Sequence, residues 1–110
     1  MSEEAFDALM KKYSLNPKIP SVCGPGWLPI LDELFDKLIK LGWDRDVHQI
    51  KEKFGKLRIY IGPGTDEMRR LVHEAEDKSN HVCEECGKPG TNGASKTGWF
   101  RTLCEKCRGR

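Results

Sequence analysis

No apolar run in this 110-residue chain approaches the ~20 residues that a membrane-spanning helix needs, so that architecture is excluded. Internal repeats and low-complexity stretches are also missing, which argues against solenoids and tail-like segments. The opening MSEEAFDALMKK has neither the apolar centre of a secretory signal nor the arginine bias of a transit peptide. The cytoplasm is therefore the expected compartment. Histidine is scarce, and His48, His73 and His81 stand apart from one another without a carboxylate cluster beside them. Glycine turns occur as GPG at 24–26 and 62–64, but neither continues into the G-K-[ST] of a phosphate loop. No catalytic constellation is visible, and the protein is expected not to be an enzyme.

What is present suits a small folded domain. Charged residues make up 33% and apolar residues 37%, and the length is that of one domain, 1–110, small enough for a metal staple to matter. An α+β fold is expected, with three helices packed on a β-hairpin over residues 1–80 and a zinc-ribbon-like four-cysteine module over 81–110. Phe6, Leu9, Met10 and Tyr13 recur at helical spacing within 3–14. Trp27, Ile30, Leu31, Leu34, Leu38 and Leu41 form a second stripe, closed by Gly42. Met68, Leu71, Val72 and Ala75 mark a third helix, with Thr65 as its N-cap.

The chemistry-bearing pattern lies near the end. CEEC at 83–86 and CEKC at 104–107 give C-x2-C-x17-C-x2-C, a spacing that lets four thiolates converge on one tetrahedral ion. Cys83, Cys86, Cys104 and Cys107 are thus the expected ligands of one structural Zn2+. Disulfides do not suit a chain without a secretory signal, and acidic residues inside both pairs do not suit a redox thiolate. Binding Zn2+ through four thiolates cancels the formal charge of +2, so any attraction to a polyanion must be local. His81 is expected to cap a helix end, and GWFRTL at 98–103 to lead as a strand into the second pair. Cys23, the odd cysteine, is expected to be structural.

Local positive charge gathers in KFGKLRIYI, 53–61. A type II′ turn at Gly55-Lys56 would pair Phe54 with Leu57, Lys53 with Arg58, Glu52 with Ile59 and Lys51 with Tyr60. One face then holds Ile50, Phe54, Leu57, Ile59 and Ile61, and Glu52 among them. The other carries Lys51, Lys53, Arg58 and Tyr60, a combination able to meet phosphates and bases or an acidic protein surface. Like charges directly across strands cost stability, which a plain solvated face has no need to do.

CGPGW, KEKFGKLRIY and the paired C-x-x-C end together resemble a group of small, functionally uncharacterised proteins of phages, prophages and bacteria. The resemblance covers Cys23 to Trp27, Lys51 to Tyr60 and Cys83 to Cys107, but not the first twenty residues. Such relatives often carry an acidic residue in place of Pro25, and sometimes histidine in place of Cys107, which preserves zinc binding. The resemblance implies phage-associated biology and assigns no reaction. The expected function is a binding module docking on nucleic acid or a complex that handles it, its basic face extended by Arg101, Lys106, Arg108 and Arg110. The alternative is a phage-type regulator or inhibitor docking on a host protein, such as a defence protein. No membrane partner and no small-molecule substrate are expected.

Overall fold

The computed structural model describes residues 2–15, 24–94 and 98–108. Within them the chain forms four α-helices and two small antiparallel sheets, a mixed α/β arrangement. Helix α1 (Ser2–Lys12) buries Phe6, Leu9 and Met10, with Tyr13 half-buried just beyond its end. A 3-10 turn, Pro25–Trp27, leads into α2 (Leu28–Lys40), which buries Ile30, Leu31, Leu34, Phe35 and Leu38. At its end the Gly42 N–H donates to the Ile39 carbonyl and the Trp43 N–H to the Leu38 carbonyl, which is the Schellman pattern. Leu41, expected in the buried stripe, is consequently 39% exposed. The reversal at Gly42 returns Trp43 to the core instead, its ring stacked on Phe35 at 5.8 Å.

Strands β1 (Val47–Lys53) and β2 (Lys56–Ile61) form the expected hairpin, but around a different turn. The two loop residues are Phe54 and Gly55, both left-handed at φ 54° and 77°, as a type I′ turn requires and a type II′ turn does not. Its twist matches that of the strands, and the Glu52 carboxylate accepts the Gly55 N–H at 2.6 Å. Phe54 therefore leaves the core and is 64% exposed. Pairing becomes Lys53 with Lys56, Glu52 with Leu57, Lys51 with Arg58 and Ile50 with Ile59. The shift is two residues, so the side chains that remain in the strands keep their faces. Ile50, Leu57 and Ile59 are buried, whereas Glu52 at the hairpin's far end is exposed.

Helix α3 (Asp66–Ser79) starts as its sequence implies, with the Met68 N–H donating to the Thr65 hydroxyl at 3.2 Å. Met68, Val72 and Ala75 are buried, and Leu71 half-buried. The helix also closes an open sheet edge. Residues 57 and 59 sit at non-hydrogen-bonded positions of the ladder, so their N–H groups point away from β1. The Leu57 N–H donates to the Ser79 hydroxyl at 2.9 Å and the Ile59 N–H to the Glu76 carboxylate at 2.8 Å. An i, i+3 pair of helical side chains thus replaces a third strand. α2 packs on α3, and α1 on α2. One apolar cluster joins α1, α2, the hairpin and α3, and none of its buried members lies beyond Ala75.

Strands β3 (Thr91–Ala94) and β4 (Phe100–Leu103) form the second hairpin, followed by the single turn of α4 (Glu105–Arg108). Their own buried apolar cluster is small: Cys83, Leu103 and Cys107.

Candidate metal centre and basic hairpin face

The two cysteine pairs reach one point from two separate turns. The first turn is closed by the Gly87 N–H donating to the Cys83 carbonyl at 2.9 Å, and the Cys83 N–H donates to the Lys88 carbonyl at 2.7 Å. The second lies where β4 enters α4. Sγ atoms of Cys83, Cys86, Cys104 and Cys107 all fall within 4.8 Å of one another, and those of Cys86 and Cys104 are 3.6 Å apart. Sulfurs ~2.3 Å from a tetrahedral ion stand just under 4 Å from each other, so the set can hold a metal ion. The Cys107 N–H donates to the Cys104 sulfur at 3.4 Å, the kind of contact that softens thiolate charge. Cys83 and Cys107 are buried. His81 is exposed and takes no part in the cluster.

The thiols are not equivalent. Burial pushes Cys83 up, but N–H groups of Cys86, Cys104 and Glu85 outweigh it and bring the thiol down to about 6. Cys104 is lowered chiefly by the Cys107 N–H. Cys107 is pushed up to about 12, first by its hydrogen bond with Cys104 and then by burial. A proton thus competes for the Cys107 sulfur across the whole neutral range. Metal uptake by the apoprotein is expected to release protons at pH 7, and affinity to fall steadily on acidification. A pH-indicator titration checks this; uptake without proton release contradicts it.

Glycine explains how this centre meets the rest of the chain. A Cβ on Gly26 would overlap the Cys83 carbonyl oxygen and stand 2.6 Å from the Gly87 nitrogen. The Gly26 N–H donates to the Glu84 carbonyl at 2.8 Å, and the Trp27 indole N–H to the Val82 carbonyl at 2.9 Å. The GPG turn is thereby seated on the first cysteine turn, which is a packing role. At a second contact, a Cβ on Gly55 would lie 2.6 Å from the Asn92 amide nitrogen and 2.7 Å from the Arg101 Cα. The Thr102 hydroxyl donates to the Gly55 carbonyl at 2.6 Å and the Asn92 amide to the Phe54 carbonyl at 3.0 Å. Cys23 lies outside the described residues.

Glu84, which spacing alone makes a spacer, is a hub. It is buried, its carboxylate binds Arg101 Nε at 2.6 Å, and its own N–H donates to the Thr102 carbonyl at 2.9 Å. Burial raises its carboxyl above the usual range despite Arg101. Nothing local in CEEC points to this role, because the partners are 17 and 18 residues away.

On the outer face of the first hairpin, Lys51, Lys53, Arg58 and Tyr60 do stand together, with Lys56 added. The expected pairing of Lys53 with Arg58 is replaced by two like-charge pairs, Lys51 opposite Arg58 and Lys53 opposite Lys56. Lys51 Nζ lies 5.6 Å from the centre of the half-exposed Tyr60 ring, and Lys53 Nζ 5.8 Å from that of Phe54. Lys56 is bound by Asp77 at 3.1 Å, whereas Lys51, Lys53 and Arg58 have no carboxylate partner among the described residues. The expected extension of this face is mostly engaged elsewhere. Arg101 is held by Glu84 and Glu85, and Arg108 donates to carbonyls including that of Ala94 at 3.0 Å. Lys106 is exposed, and Arg110 lies outside the described residues. No helix among the described residues is long and apolar enough to cross a membrane.

No protein-family model, curated protein or solved structure matches the chain.

Proposed function

We propose that this is a non-enzymatic binding module of phage type, its zinc-ribbon-like end stapled by one Zn2+ on Cys83, Cys86, Cys104 and Cys107. It docks through the outer face of its first hairpin on nucleic acid, or on a complex that handles it. Four thiolates fill a tetrahedral shell, which leaves Zn2+ no position for substrate and gives it a structural task. One observation carries the binding reading. Lys51 and Arg58 stand directly across strands without carboxylate partners among the described residues, beside the half-exposed Tyr60. Such a pair is destabilising in the free protein and is relieved when an anion sits between the two charges.

Charge reversal tests it. Lys51→Glu with Arg58→Glu is expected to leave folding intact, because both side chains point away from Ile50, Leu57 and Ile59. Lys51→Glu alone should be neutral or stabilising by roughly 0.2–1 kcal/mol, since it creates an opposite-charge pair with Arg58. The double variant should lose nucleic-acid affinity, and its salt slope should shrink by about one unit for each phosphate contact removed. Titrations at two salt concentrations beside a thermal melt suffice. A double variant that binds like the wild type reduces this face to solvated surface. Salt-insensitive capture of a protein instead would favour a host-protein target.

A further inference from the structure

Among the described residues, three of the five large apolar side chains left exposed lie around one groove: Phe54 at 64%, Trp99 at 73% and Phe100 at 50%. Its open volume is about 490 Å³, and Glu52, Lys53 and Arg101 complete the lining. The groove exists because the first hairpin's tip is clamped on β4. Phe54 is pushed outward by the type I′ turn, while Trp99 and Phe100 precede β4's buried residues Thr102 and Leu103. Its charges are unequal in availability. Arg101 is held by the two carboxylates of Glu84 and Glu85, and the exposed Glu52 carboxylate accepts the Gly55 N–H while keeping its charge. Lys53 is the cation without a carboxylate partner among the described residues, its Nζ 5.8 Å from the Phe54 ring centre. From it, Lys51 continues along the same face of the strand, about 7 Å further on, since side chains two residues apart share a face.

We infer that this groove is a stacking site for unpaired bases, so that the ligand of the basic face is single-stranded nucleic acid. The inference rests on the nucleic-acid reading above and makes it specific. A flat aromatic surface meets a base only where the base's face is open, which a duplex interior does not allow. Lys53 and Lys51 follow the backbone of the same strand, and Tyr60, with Lys51 beside it, offers a second ring further along. Aromatic faces interleaved with unpaired cations match a single strand in both chemistry and charge. A wholly apolar partner would leave Lys53 buried without a counter-charge.

Tryptophan emission provides the measurement, because Trp27 and Trp43 are buried and Trp99 is the exposed indole. The metal-loaded protein is titrated with an oligothymidylate and with a duplex of equal length. The single strand should bind more tightly and quench Trp99. Trp99→Ala should weaken single-strand binding by about 5- to 150-fold, the range that corresponds to loss of one stacked base. Trp99→Phe should recover most of it, and neither change should move the melting temperature. Preference for the duplex with no effect of Trp99→Ala, but loss in Lys51→Glu/Arg58→Glu, overturns the stacking site and leaves the basic-face reading standing. Absence of binding to either nucleic acid overturns both. Salt-insensitive binding of a protein that depends on Trp99 also overturns the stacking site, and assigns the aromatics to a protein interface.

Discussion

Cys104→Ser, or removal of the metal by a chelator, is expected to undo more than residues 81–108. That end has little apolar support of its own, because its buried cluster is Cys83, Leu103 and Cys107, and two of those belong to the four-thiol cluster that could hold a metal ion. In small zinc modules the metal carries roughly 10–16 kcal/mol of folding free energy, so its loss should melt both cysteine turns and β3–β4. The disturbance should then pass to whatever those elements hold. The Gly26 and Trp27 donors lose the Glu84 and Val82 carbonyls, and the first hairpin's tip loses Thr102 and Asn92. The centres of α2 and α3 should persist, since no buried member of the main cluster lies beyond Ala75. Hydrogen exchange should therefore show three classes: lost protection beyond residue 81, weakened protection at 26–27 and 54–55, and retained protection around Leu34, Leu38 and Val72. Unchanged protection in the apoprotein would show that the metal is not the staple. Loss across the whole chain would show one inseparable core.

Gly26→Ala is expected to be strongly destabilising for so small a change. Its Cβ would meet main-chain atoms on both sides, the Cys83 carbonyl oxygen and the Gly87 nitrogen at 2.6 Å, and main chain cannot rotate aside as a side chain can. Either the 24–27 turn lifts off or the cysteine turn opens. Overpacking costs about 1–3 kcal/mol, and a backbone obstacle belongs at or above the upper end. For a domain of this size the melting temperature should fall by roughly 10–25 °C. Metal affinity should fall with it, because the turn being displaced carries Cys83 and Cys86. Gly42→Ala is the matched control. Gly42 has φ +88° and nothing within 4 Å of where a methyl group would stand. Its cost is therefore backbone strain alone, about 1–2 kcal/mol, with metal retention unchanged. Equal metal loss in both variants would mean that general stability, rather than the turn contact, governs the site.

Much of the candidate site was legible because its signals are local. A C-x2-C pair brings its two sulfurs together within one turn, so each pair can be recognised without knowing where the other lies. The hairpin faces survived a misplaced turn for a related reason. The side-chain period is two, and the turn moved the pairing by two, so Lys51, Lys53, Arg58 and Tyr60 stayed on one side. Phe54 was lost to the core because choosing between type I′ and type II′ depends on what lies beside the tip. Here the Asn92 amide takes the Phe54 carbonyl, and β4 presses on Gly55.

By itself the sequence determined where the three longer helices lie, the cap at Thr65, the two C-x2-C pairs and the split between an apolar and a basic hairpin face. Each of these depends on residues within a few positions of one another, where helix and strand periods and cysteine spacing act. Tertiary structure decided which charges remain available, why Gly26 and Gly55 must lack side chains, and that Phe54, Trp99 and Phe100 gather at one groove. Those facts join residue 26 to 84 and residue 55 to 101. A close approach of two main chains leaves no periodic mark on either segment; its trace is a missing Cβ, which in sequence looks the same as a turn.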